Sequence, residues 1–313
     1  MSVSVQAPPL LRPLHLAALL MVTFVWGLNF IVIRIGLDHF PPLLFSAARF
    51  AVCALPALWL PRPKVGWVSL LALGLVLGAG LFGFLFLGIA AGVSPGIASL
   101  LMQSQVLFTL VLGALILGDR PGVAQWTAVA LGCAGIALLA IDTGQFSTGT
   151  GFALILGGAV CWAVANLMFK RLPPTPMLNV MVWISLVPPI PLLALSWLVE
   201  GQPAISASLG NIGPVALLVI AYTSVLSTLF GYGVWGAMIQ RYSAPKVVPF
   251  ALFVPVFGLL LSFLIFGDRL DAVGLLASAM VVAALALNTF GFPRALARAC
   301  GKSVRFFFKS VQV

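Results

Sequence analysis

Apolar residues fill this chain in ten long runs, separated by short gaps that hold most of the charged residues. The first run follows Arg12 and extends from about Leu16 to Ile35, roughly 20 residues or about 30 Å of helix. That exceeds the apolar core of a signal peptide, so it reads as an uncleaved first span. Nine more runs follow, at about 42 to 60, 67 to 90, 95 to 117, 123 to 141, 151 to 169, 177 to 199, 214 to 238, 245 to 266 and 272 to 292. The pattern predicts an all-α integral membrane protein of ten transmembrane helices. An even number of spans puts both termini on one side.

Composition sharpens this picture. Over 313 residues, 62% hydrophobic and 7% charged side chains with a mean hydropathy of +1.19 exclude a water-soluble surface. Sixteen Lys and Arg against six Asp and Glu leave a net charge of +10. The basic residues sit in the gaps rather than on one soluble face, so no nucleic-acid partner is expected. With the amino terminus inside, Arg12, Arg62, Lys64, Arg120, Lys170, Arg171, Arg241, Lys246, Arg294, Arg298, Lys302, Arg305 and Lys309 all fall on the cytoplasmic side. Only Arg34 and Arg269 fall outside, and Arg49 is left within the second span. The bias predicts cytoplasmic termini. Cys53, Cys133, Cys161 and Cys300 set no disulfide framework and read as free thiols.

The chain also resembles itself. Ile116-Leu117-Gly118-Asp119-Arg120 recurs as Ile265-Phe266-Gly267-Asp268-Arg269, an offset of 149 residues, each copy lying between two long apolar runs. Ser94 then matches Ser243, Phe108 matches Phe257, and after one residue of slippage Gly83-Phe84 matches Gly231-Tyr232. Trp26 and Trp162 each lie about ten residues into the first span of their half. Five spans per half is odd, so the second copy must enter the membrane from the opposite side. The expected units are residues 1–143 and 144–292, two inverted five-helix repeats, followed by a basic cytoplasmic tail at 293–313. Inverted repeats are a transporter architecture, because two near-equivalent halves can exchange arrangements and open a central site alternately to each face.

Trp26, Gly27 and Asn29 in the first span, with a Gly-acidic pair opening helices five and ten, resemble the EamA-type branch of the drug/metabolite transporter superfamily over about residues 15 to 290. Within that branch the chain is similar to the YddG-like bacterial amino-acid transporters. The resemblance implies a multi-pass protein of the bacterial inner membrane that works without a cofactor.

Side chains that hydrogen-bond are costly in hydrocarbon and are expected to face a cavity or another helix. Trp26 and Asn29 share a helical face at a spacing of three, and Trp162 and Asn166 at four. Ser99 and Gln103 share a face of the fourth span, with Gln105 and Thr109 on a neighbouring one. Ser224, Thr228, Tyr232 and Trp235 form the clearest polar stripe, in the eighth span. The expected cavity lining is Trp26, Asn29, Phe84, Ser99, Gln103, Trp162, Asn166, Thr228, Tyr232 and Trp235. Against this, buried amides and hydroxyls often only join helices. Arg49 either takes a substrate carboxylate or serves structure. Asp119 and Asp268, each following a glycine and opening a helix, read as N-caps. Gly80, Gly83, Gly88, Pro249 and Pro255 are candidate hinges, about which helices three, four, eight and nine would rock. In the tail, Arg294, Arg298, Lys302, Arg305 and Lys309 make one helical stripe suited to the anionic inner leaflet.

No Asp or Glu lies near the middle of a span, so the usual proton-coupling carboxylate is missing. Passage of a small neutral or zwitterionic solute, above all an amino acid, is favoured. An exporter of lipophilic drugs or lipids with the same fold is the alternative. An intramembrane enzyme would need a nucleophile, base or metal cluster, and His15 and His39 flank the first span without a second ligand near either in sequence. No metal is expected, and monomer and homodimer stay equally open.

Overall fold

The computed structural model describes residues 12–141, 149–242 and 244–291, and every regular element among them is helical. In chain order the longer ones are α1 (Pro13–Gly36), α2 (Pro42–Leu58), α3 (Trp67–Ala90), α4 (Pro95–Leu117), α5 (Val123–Ile141), α6 (Gly149–Lys170), α7 (Met177–Val199), the short α8 (Gln202–Gly210), α9 (Pro214–Tyr242), α10 (Val248–Phe266) and α11 (Ala272–Phe290), with a single helical turn at Ala244–Val247 just before α10. Eight of these are long and apolar enough to cross a membrane, and α2 and α5 are shorter apolar helices. The tail stripe from Arg294 to Lys309 lies outside the described residues, as does Cys300.

The ends follow from local chemistry. Pro13, Pro42, Pro95 and Pro214 open their helices, where a missing N–H costs no hydrogen bond. Gly118 (φ +69°) and Gly267 (φ +72°) close α4 and α10 in the left-handed conformation, which a residue without a Cβ adopts cheaply. The acids that follow them are not N-caps, contrary to expectation. Asp119 pairs with Lys170 (2.8 Å), Asp268 accepts from the Ser262 hydroxyl, and Asp271 caps α11 through the Gly274 N–H (2.7 Å). The reason is position: α11 begins at Ala272, so the acid immediately before it takes the capping role.

The helices are interrupted at matching places. A π-helical stretch covers Gly74–Leu81 in α3 and another covers Tyr222–Phe230 in α9. α4 breaks at Gln103, and α10 opens with a 3-10 turn over Val248–Leu252 that contains Pro249. Gln103 Nε2 donates to Ala251 O (3.0 Å), joining these two irregular points. Opposite the α3 stretch, α7 is interrupted between Ile184 and Pro189. Gly74 and Gly78 lie directly under Val187 and Pro188 at that interruption, where no side chain would fit.

Packing crosses between the halves. α5 lies along α11, α1 along α10 and α4 along α6, while α2 packs against α7. The π stretch of α9 rests on α1 and α2, and that of α3 rests on α6. Small residues permit the close approaches: Gly27 faces Phe257 and Gly258, Gly88 faces Ile155, and Gly135 faces the Ala277 carbonyl. One apolar core runs through the bundle, and a small second cluster of Leu19, Tyr242 and Val247 lies where α1 begins and α9 ends.

Candidate functional site

Halfway along α1, Trp26 turns its ring toward α9. Its ring centroid lies 5.3 Å from Tyr232 and 5.1 Å from Trp235, both at tilted angles, and its Nε1 donates to Ser227 O (2.9 Å). Gly231 makes room, since a Cβ there would stand 2.5 Å from Trp26 Nε1. All three rings are half-buried. The trio is an aromatic surface whose rings favour edge and offset contact with another ring or with an apolar chain.

Arg49 on α2 is the other centre. It is 1% exposed, and its Nε and Nη2 donate to Thr228 Oγ1 at 3.2 and 2.7 Å. Its guanidinium carbon lies 4.0 Å from the centroid of Phe82 and 5.6 Å from that of Phe50. Nη1 is buried without a partner, and among the described residues no carboxylate pairs with Arg49. Ser46 Oγ, one turn earlier on α2, is also buried and unpartnered, as is Asn29 Oδ1 on α1. Taking a cation out of water costs several kcal/mol unless an anion or full hydrogen bonding replaces the solvent. One hydroxyl and two aromatic faces replace it in part.

Thr228 links this charge to the irregular turn of α9. Its hydroxyl donates to Thr223 O (2.9 Å), five residues back, while Ser224 Oγ donates to Arg49 O (3.1 Å) and Cys53 Sγ lies 3.5 Å from Ser224 O. π-helical turns recur at functional sites because they expose backbone and redirect side chains. The expected stripe therefore divides: Ser224 and Thr228 face α2, Tyr232 and Trp235 face α1.

The remaining candidates serve contacts between helices. Asn166 donates to Gln105 Oε1 (2.7 Å) and Thr109 Oγ1 (3.1 Å), joining α6 to α4. Ser99 donates to Gly96 O (2.7 Å) and packs on Gly258. Trp162 is half-buried against the main core, and Phe84 lies over Gly157 and Gly158 of α6. Gly80 belongs to the π stretch of α3 and faces Cys161, Gly83 faces Leu192 and Leu43, and Pro255 is buried in α10. Sequence reasoning passed over Phe82, Ser46 and Glu200. Glu200 accepts from the Leu43 and Leu44 N–H groups (2.6 and 3.3 Å) and from Ser196 Oγ (2.5 Å), capping α2 from another element. Ser46, a hydroxyl three residues before Arg49 in an apolar run, carried a readable signal; Phe82, one of 23 phenylalanines, did not.

Among the described residues no three His, Cys, Asp or Glu side chains gather as a metal site. The EamA-like transporter family model matches twice, over residues 14–141 and 149–290. The "Probable amino-acid metabolite efflux pump" of Salmonella typhimurium is 39% identical over 87% of this chain and 94% of its own, and that of Escherichia coli is 36% identical over 87% and 93%. The "Uncharacterized transporter YoaV" of Bacillus subtilis is 25% identical over 87% and 96%. A crystal structure of a 19% identical protein superimposes with a TM-score of 0.58, covering 90% of this chain and 98% of the other, and so shares the fold. With most of its length matched by the family model and by two relatives above 30% identity, this chain belongs to the EamA-like transporter family, a multi-pass protein of the inner membrane.

Proposed function

We propose that this transporter moves small neutral or zwitterionic metabolites, above all amino acids with apolar or aromatic side chains, outward through a central site. The carrying observation is the pair of unlike surfaces joined by one stretch of α9: the Trp26, Tyr232 and Trp235 rings, and the buried Arg49 with a free Nη1. A side chain would stack on the rings while its carboxylate takes the guanidinium, with Asn29 and Ser46 supplying further hydrogen bonds. The efflux activity in the names of the Salmonella and Escherichia coli relatives supports the substrate class and the direction.

The mechanism in this reading is alternating access. Two inverted five-helix repeats, residues 1–143 and 144–292, form ten spans with cytoplasmic termini. The matched interruptions in α3 and α9, and in α4 and α10, support it, because discontinuous helices can change pitch at a fixed site. Gly80 and Pro249 lie within these interruptions, Gly83 and Pro255 lie just beyond them and Gly88 lies near the end of α3, and in this reading all five serve as hinges. Counterflow of labelled threonine, methionine, phenylalanine and a lipophilic cation into proteoliposomes tests the proposal. Amino-acid flux supports it, and cation flux without amino-acid flux refutes it.

A further inference from the structure

The repeated Gly-Asp-Arg sequence is used differently in its two copies. Asp119 is neutralised by Lys170, whose Nζ lies 3.0 and 2.8 Å from its two carboxylate oxygens. Asp268 has no cation within ion-pair distance among the described residues. It lines a cavity of about 370 Å³ between the start of α4, the end of α10 and the start of α11. That volume falls within the range of small-molecule sites, about 300–1,000 Å³.

The cavity has two chemical ends. One is polar: Asp268 accepts from Ser262 Oγ, which itself accepts from the Gly96 N–H (3.1 Å) at the opening turn of α4. Arg269 stands exposed at the rim and, among the described residues, has no ion pair. The other is apolar and open, since Phe263 and Leu275 line it and remain 48% and 58% exposed on the outside of the bundle. An anion and a cation side by side, opening onto an apolar face near the end of a membrane-length helix, match a zwitterionic amphiphile. Its phosphate would meet Arg269, its ammonium Asp268, and its chains the Phe263 and Leu275 face.

We infer that this cavity is a binding site for a phospholipid whose headgroup carries a primary ammonium, of the phosphatidylethanolamine type. The choice of a primary amine rests on Asp268: its carboxylate can accept hydrogen bonds from –NH3+, whereas a quaternary ammonium has no N–H to donate. A free amino acid carries the same ammonium, but it lacks the chains that the open apolar side would cover. The site is separate from the Arg49 and Trp26 region and does not depend on what is transported.

Native mass spectrometry of the full chain in detergent, with phosphatidylethanolamine, phosphatidylcholine and phosphatidylglycerol of identical chains added singly, tests the inference. The expected result is about a tenfold preference for the ethanolamine over the choline lipid, the effect of one charge-assisted hydrogen bond. Asp268→Asn keeps an acceptor for Ser262 yet removes the charge, and should erase that preference. Arg269→Ala should weaken retention of all three lipids alike. Equal retention of ethanolamine and choline lipids by the wild type, or a preference that survives Asp268→Asn, overturns the inference. Displacement of the lipid by excess free amino acid also overturns it, by assigning the cavity to the solute.

Discussion

Arg49 and Thr228 meet through a single oxygen: Nε and Nη2 of the arginine both donate to Thr228 Oγ1, leaving Nη1 buried and unpartnered. A guanidinium held by a hydroxyl keeps its full charge uncompensated. The same hydroxyl donates to Thr223 O within the π stretch of α9, so the arginine rests on the least regular part of that helix. An anion drawn to Arg49 would compete with this contact and bear on the shape of α9.

Replacing Arg49 with Gln removes the charge and keeps a hydrogen-bonding side chain. The KM for amino-acid counterflow should rise about 10- to 100-fold, since hydrogen bonds to charged groups contribute about 1.5–3 kcal/mol. Arg49→Lys, which keeps charge but not the fork, should fall between the two. Thermal unfolding of each variant in detergent checks that the protein is folded. A folded Arg49→Gln with unchanged KM would remove the arginine from substrate recognition.

Trp26 offers a selectivity test. Trp26→Phe loses the bond to Ser227 O but keeps a ring near Tyr232 and Trp235; Trp26→Ala loses both. Trp26→Ala should weaken competition by phenylalanine about three- to tenfold more than competition by threonine, matching about 0.5–1.5 kcal/mol for an aromatic pair. Trp26→Phe should preserve the order. Competition against labelled methionine reads both outcomes.

The cross-packing of α1 on α10 depends on Gly27. An added Cβ would stand 2.6 Å from Phe257 Cβ and 3.0 Å from Val254 O, one of them backbone that cannot swing aside. Gly27→Ala should therefore cost on the order of 1–3 kcal/mol and lower the unfolding midpoint. Gly66→Ala is the control, because a Cβ there meets nothing within 4 Å. Equal midpoints for the two variants would show that the α1–α10 contact is loose.

The Asp119–Lys170 pair is the counter-example. Both side chains are about half exposed, so Lys170→Ala should change stability by less than about 1 kcal/mol. A larger loss in the same unfolding assay would mean that the pair holds α4 and α6 together beyond its own Coulomb energy.

Sequence pattern carries the helices well and the partners poorly. Continuous apolar runs with Pro at their starts and Gly at their ends mark α1, α4 and α10, because lipid penalises any unpaired backbone and leaves few other ways to end a span. The Ser224-to-Trp235 stripe is visible because hydroxyls stand out among aliphatic residues. Its division between α2 and α1 is not, since the π stretch shifts which residues face together and nothing in the composition announces it. Asn166 shows the same limit: its amide is plainly polar, but that Gln105 and Thr109 accept from it depends on α6 lying against α4. Asp268 reads as a cap from its place after Gly267, and only the start of α11 at Ala272 shows that Asp271, three residues on, takes that role.

Inversion of the two halves is the premise of alternating access, and Arg120 and Arg269 occupy corresponding places in the repeated Gly-Asp-Arg sequences. Single cysteines at these positions, in a chain otherwise free of cysteine, can be labelled with a membrane-impermeant maleimide in right-side-out and inside-out vesicles. Arg120→Cys should react only from the cytoplasmic side and Arg269→Cys only from the outside. Labelling of both from one compartment would contradict the inverted arrangement and the transport mechanism built on it.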